Sequence, residues 1–94
     1  MGSIILTCKN NLIVTYEEAV DLVVYDMDLR KIIGIVRKPS DPLILEDLAE
    51  EYDPWVIVTK GISEENEEIL RDIGVKIVIT KRNNIMEYIN EVMI

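Results

Sequence analysis

The sequence predicts a three-layer α/β domain, a mixed five-stranded sheet with helices on both faces. Three observations lead there. Hydrophobic residues make up 49% of the chain, mostly Ile, Val and Leu, with no Phe; β-branched residues favour buried strands. The second half alternates apolar runs with amphipathic stretches, the pattern of parallel strands joined by right-handed crossovers. In the first half, two β-rich runs flank the four residues MDLR, which is hairpin spacing.

SIILTC (3–8) is an apolar run closed by KNN, a strand ending in a turn. NLIV continues it. Thr15 with Glu18 three residues later makes a capping box, so a short helical turn starts there. DLVVYD (21–26) and KIIGIVRK (31–38) form the hairpin, with Gly34 marking a bulge or a close backbone approach. Asp41 and Pro42 open an amphipathic helix whose stripe is Ile44, Leu48 and Tyr52, ending near Asp53-Pro54. WVIVT (55–59) reads as a strand buried on both faces. A helix follows from Glu64 to Ile73, with Ile69, Leu70 and Ile73 inward and Gly74 at C′. VKIVIT (75–80) is the next strand. Asn84 with Glu87 caps a last helix, with Ile85, Ile89 and Val92 on its inner face. The order β, short α, β, β, α, β, α, β, α fits a ribonuclease-H-like domain, a single unit over 1–94.

Composition narrows the function. A chain of 94 residues buries only roughly 60–65% of its unfolded surface, so its core is dense. Ten basic residues face eighteen acidic ones, a net charge of −8. That balance, with no basic stripe or aromatic platform, argues against nucleic acid and anionic membrane as partners. Cys8 is the one cysteine and there is no His, so one chain builds neither a Cys/His zinc site nor a histidine-based catalytic group. No apolar run reaches the ~18 residues of a membrane span. MGSIIL lacks signal-peptide features, and Leu6 breaks the myristoylation pattern. The expectation is a cytoplasmic, acidic protein. Abundant Ile, Glu and Lys without Gln or His fits a thermophilic source.

Three strands end alike, in ILTCKNN, VIVTKG and IVITKRNN. As parallel neighbours they would gather Lys9, Lys60 and Lys81 along one edge, joined by Arg82. Open α/β sheets bind ligands outside the carboxyl ends of their strands, so Cys8, Lys9, Thr59, Lys60, Gly61, Lys81 and Arg82 form the candidate anion- or cofactor-binding set. Lysines after strands also serve simply as solvated caps. The stretch VIVTKGISEENEEIL (56–70) has the strand–glycine–helix form of a phosphate cradle, but one Gly and no Gly-Lys-Ser/Thr order. Glu64, Glu65, Glu67 and Glu68 already complement the helix dipole, and Gly61 reads as a tight-turn residue.

Enzymatic chemistry is not expected. A two-metal nuclease requires carboxylates converging on the sheet, and SIILTC carries none. Asp26 and Asp28 fall at the hairpin turn, where acids are usually solvated. Cys8 would need a nearby cation to become a thiolate nucleophile; a small buried apolar role suits it better.

YEEAVDLVVYDMD (16–28) resembles the Phe-Gly-Arg-Ala-x-x-Phe-x-(Val/Ile)-Tyr-Asp-x-(Asp/Glu) segment of the dinitrogenase iron–molybdenum cofactor biosynthesis family, the NifX-like domains. Tyr16, Ala19, Tyr25, Asp26 and Asp28 carry the match. In VIVTKGISEENEEILRDIGVKIVI, Gly61, Ile62, Leu70 and Gly74 fall at the family's positions. The likeness runs from about residue 3 to 93. It implies a ribonuclease-H-like fold and a family that binds iron–sulfur cofactor precursors or has no assigned role. Glu17-Glu18 replaces the family's Gly-Arg, and His is absent. One thiolate holds a cluster only if several chains contribute. The leading expectation is a non-enzymatic NifX-like module that binds a protein partner, a second copy or a small anion, with no cofactor. The alternative is a cofactor-precursor carrier assembled from more than one chain through Cys8. KIIGIVRK as an apolar sheet edge would make a homodimer contact, or its basic ends would protect that edge.

Overall fold

The structure, a computed structural model, describes residues 2–39 and 54–92. The helix expected over 41–53 lies outside the described residues. The strands are β1 (Ser3–Lys9), β2 (Leu12–Ile13), β3 (Asp21–Asp26), β4 (Lys31–Arg37), β5 (Pro54–Thr59) and β6 (Lys76–Ile79); the helices are α1 (Glu64–Ile73) and α2 (Ile85–Val92). The sheet runs β4-β3-β1-β5-β6, with β2 paired only to β1. The β1–β5 and β5–β6 pairs are parallel and the β1–β3 and β3–β4 pairs antiparallel. This is a mixed α/β sheet with β3 reversed against its neighbours, as the hairpin requires. Among the described residues the expected five strands become six, because the residues after KNN turn back instead of extending the first strand. Asn10 and Asn11 both take positive φ, 53° and 66°, the requirement of a type I′ two-residue turn.

Side chains alternate between two cores. Ile4, Leu6, Cys8, Val23, Tyr25, Val56 and Val58 pack with Tyr88 and Ile89 of α2. Ile5, Leu22, Val24 and Ile57 pack on the other face with Tyr16, Leu70 of α1 and Val75. The period-2 pattern of each strand thus feeds both faces, and among the described residues one helix packs on each. Both helices differ in detail from the expected stripes. Leu70 and Ile73 join the core of α1, but Ile69 stays outside it. In α2, Tyr88 is buried while Val92 is 45% exposed. Positions 85, 88, 89 and 92 share one stripe, and Val92 falls at its outer end.

Local chemistry explains the boundaries. Ser63 caps α1 by accepting the Asn66 N–H, and Gly74 closes it at φ 98°, an αL position that favours glycine. Asn84 Oδ1 accepts the Met86 N–H at 2.8 Å to start α2. Asp26 Oδ1 accepts the N–H groups of Asp28 and Leu29 at 2.8 and 2.9 Å, shaping the hairpin turn. The expected irregularity near Gly34 is a bulge. Val24 faces Gly34 and Tyr25 faces Ile32, so Ile33 is the extra residue. Among the described residues, no helix is long and apolar enough to cross a membrane.

Candidate functional site at the carboxyl ends of the parallel strands

β1, β5 and β6 are parallel neighbours, with Leu6 beside Val58 and Thr59 beside Ile79. Their carboxyl ends therefore lie at one end of the sheet; Lys9 is the last residue of β1, Lys60 follows β5 directly, and Lys81 stands two residues beyond β6. The chain's own backbone fills much of the space between. After the Asn10-Asn11 turn, residues 12–16 cross these ends. Ile13 N–H donates to Asn83 O at 2.8 Å, Val14 N–H to Thr7 O at 2.9 Å, and Tyr16 N–H to Gly61 O at 2.8 Å. Leu12 bridges to Asn84. The crossing segment ties together the residues just beyond β5 and β6.

Thr7 and Thr59 anchor this crossing. Both are fully buried. Their hydroxyls stand 2.7 Å apart. The Thr7 hydroxyl reaches Val14 O at 2.7 Å, and the Thr59 hydroxyl reaches Val14 O and Gly61 O, both at 3.1 Å. Two hydroxyl protons serve these acceptors internally, so Thr59 presents no donor to a ligand. The repeated threonines at the strand ends thus have a structural use that their sequence alone does not reveal. At the third ending, Thr80 N–H donates to Thr59 O at 2.9 Å and its hydroxyl accepts the Arg82 N–H at 3.1 Å.

The start of α1 is also filled from within. Glu17 Oε2 accepts the Ser63 N–H at 3.0 Å and the Asn66 side-chain amide at 2.8 Å. Partial burial pulls the Glu17 carboxyl up. The bonds from Asn66 and Ser63 outweigh that and hold it below the ordinary glutamate range. A carboxylate thus sits where a phosphate cradle would hold an anion. Glu18, its neighbour, accepts the Thr15 hydroxyl at 2.8 Å while its N–H reaches back to Thr15 Oγ1 at 3.3 Å; the expected capping box is only half formed, because the carboxylate takes the hydroxyl and not the Thr15 N–H. The Glu-Glu pair that departs from the family's Gly-Arg is therefore used structurally. Gly61 has no positive φ, and a Cβ there would meet Thr15 Cγ2 at 3.4 Å, an ordinary contact. The tight-turn reading of Gly61 is corrected: its backbone conformation is open to any residue.

Cys8 lies in the core under α2, 2% exposed. Burial first, and then the Asp21 carboxylate, push its thiol from 9.0 up to about 11. It is neither an exposed ligand nor a nucleophile at neutral pH. Lys60 Nζ donates to Asn83 Oδ1, and Arg82 Nε donates to Glu91 Oε2 at 3.0 Å. Lys9 and Lys81 are exposed and form no ion pair among the described residues. Among the same residues, no group of three or more His, Cys, Asp or Glu is placed to hold a metal.

What stays open is a cleft of about 690 Å³ between the end of β6 and α2. Val78, Ile79, Thr80, Lys81, Tyr88 and Val92 line it, with the Arg82–Glu91 pair at its rim. Burial, reinforced by Glu91, pushes the Tyr88 phenol above its ordinary range, so it stays protonated. The repeated Thr-Lys endings pointed to this end of the sheet. Val92, expected on the inner face of the last helix, and Tyr88, on the same stripe, carry no site signal in the sequence because that stripe reads as core.

No family model matches the sequence, and no curated protein matches it. Solved structures do. A protein from Methanocaldococcus jannaschii with a provisional dinitrogenase name superposes with a TM-score of 0.73 at 15% identity, over 99% of this chain and 89% of that one. A Thermotoga protein with a provisional NifB name, assigned to the DUF35 family, gives 0.74 at 14%, over 99% and 88%. The apo form of the orange protein from Desulfovibrio gigas gives 0.75 at 16%, over 99% and 88%. At such identities the likeness establishes a shared α/β fold.

Proposed function

We propose that this chain is a divergent NifX-like domain of ribonuclease-H-like fold that binds a small anion and catalyses no reaction. The observation that carries this reading is the cleft beside β6. It opens at the carboxyl end of a parallel strand, where α/β sheets place ligands. It offers the exposed Lys81 ammonium, a protonated Tyr88 phenol and apolar lining from Val78, Ile79 and Val92. These groups hold an anion but supply no base or nucleophile. Arg82 is partly neutralised by Glu91, so affinity is modest and salt-sensitive.

The provisional dinitrogenase and NifB names of structural neighbours raise the question of a cofactor precursor. The described residues do not fit a coordinated cluster. Cys8, the one thiol, is buried and protonated, and no carboxylate group stands in for it.

The test is a titration of isotope-labelled protein with sodium phosphate and sodium molybdate, followed by amide shifts. Shifts confined to 78–82 and 88–92, lost in Lys81→Ala, support the reading. Shifts elsewhere, or none at about 10 mM, where binding would be weaker than about 3 kcal/mol, refute it. Iron retained by protein purified anaerobically, detected by native mass spectrometry, would replace it with the carrier reading.

A further inference from the structure

The opposite end of the sheet carries a second feature, independent of the cleft. β4 ends the strand order and pairs only with β3 among the described residues. Ile35 faces Val23 and Ile32 faces Tyr25, and both of those β3 residues belong to the core under α2. Ile32 and Ile35 therefore project on that same face. There they are 45% and 65% exposed, with Leu29 in the adjoining turn at 61%. An edge strand with an apolar face is a template for strand addition.

The charges around it select the occupant. Residues 30–38, RKIIGIVRK, hold four of the ten basic residues and no acid, in a protein of net charge −8. Lys38 is used internally: its ammonium donates to the Tyr16 and Glu17 carbonyls and lies over the Tyr16 ring. Arg30, Lys31 and Arg37 form no ion pair among the described residues. Asp26 and Asp21 stand opposite Lys31 and Arg37 on β3, yet neither forms an ion pair with the residue it faces. A second copy is disfavoured. Self-pairing lays one basic, acid-free run 30–38 along another, and like charges facing across a ladder destabilise it. An acidic strand converts the same positions into opposite-charge pairs.

We propose that the β4 edge docks an extended segment of a partner protein, apolar in its middle and acidic at its ends, as an added strand. The apolar residues lie beside Ile32 and Ile35, and the acids reach Arg30, Lys31 and Arg37. The bulge at Ile33 limits the ladder to the run from Gly34 onward on one side and to Lys31 and Ile32 on the other.

Two synthetic peptides test this, a Val-Thr repeat flanked by Glu pairs and the same repeat flanked by Lys pairs. Binding is read from amide shifts of labelled full-length protein. The Glu-flanked peptide is expected to shift residues 29–38 and to bind about tenfold tighter than the Lys-flanked one, the ratio expected from a few cross-strand charge pairs. In the exposed double variant Lys31→Gln/Arg37→Gln, whose folding is checked by its own spectrum, the ratio falls to about one. Equal binding of both peptides to the wild type, shifts centred on the β6 cleft, or no shifts at about 1 mM peptide overturn the proposal. So does concentration-dependent dimerisation that perturbs β4 without peptide.

Discussion

Removing the Thr59 hydroxyl tests the crossing segment directly. In Thr59→Val the side-chain volume is nearly unchanged, so the effect isolates the polar group. Every acceptor it serves keeps another donor. Gly61 O retains the Tyr16 N–H at 2.8 Å, and Val14 O retains the Thr7 hydroxyl and the Lys60 N–H at 3.3 Å. The loss is therefore that of one ordinary hydrogen bond, about 1 kcal/mol, without the larger cost of an orphaned buried group. For a domain of this size that lowers Tm by about 4–8 °C. Thr7→Val is expected to cost about the same. The double variant is expected to cost less than the sum by about 0.5–1 kcal/mol, because the hydroxyls 2.7 Å apart are partners and neighbours do not add. Thermal and urea unfolding followed by circular dichroism supply the cycle. Strict additivity, or a Thr59→Val variant as stable as the wild type, would refute the threonine pair as the anchor of this end of the sheet.

Three further outcomes follow from the same geometry. Gly74→Ala, at φ 98°, is expected to cost about 1 kcal/mol because a Cβ is strained in αL, while Gly61→Ala should stay within about 0.5–1 kcal/mol of neutral or gain slightly; equal losses in urea titrations would refute the contrast. The Cys8 thiol should react with a disulfide reagent at pH 7.5 only after unfolding. Its folded pKa of about 11 lies above the ordinary 9.0, so the folded state keeps the proton longer. The stability it contributes is full below about pH 9 and declines as pH rises through about 11. Rapid labelling of native protein would contradict the buried position. Glu17→Ala should cost about 1 kcal/mol for the lost hydrogen bonds from the Ser63 N–H and the Asn66 side-chain amide. Because the Glu17 carboxyl titrates below its ordinary range, its contribution is present above that range and fades as pH falls through the folded value. An acid titration of stability that is identical in wild type and Glu17→Ala would argue against it.

Much of the fold is legible in the residues. DLVVYD and GISEENEEILRDIG carry their own instructions. The first has buried apolar residues on both faces, and the second has Ser63 to start it and Gly74 to stop it. The Thr15–Glu18 turn and the bulge near Gly34 are equally local, each specified within a few residues. β1, β5 and β6 are parallel neighbours, so their carboxyl ends fall at one end of the sheet, although the register sets Thr59 beside Ile79 and leaves Thr80 one residue beyond it.

What tertiary structure decided is which of those endings remains usable. Glu17 reaches Ser63 and Asn66 across almost fifty residues of sequence, and Thr7 meets Thr59 over a similar separation. Neither partnership leaves a local pattern, because hydrogen bonds between distant segments depend on how layers stack and not on periodicity. The same holds for Cys8. Its place in an apolar run shows that it is in a strand, but its thiol is set by burial under α2 and by Asp21 across the β1–β3 pair. A sequence names the groups that could act. Only packing removes water from some of them, pairs others, and leaves Lys81 and the β4 edge facing solvent.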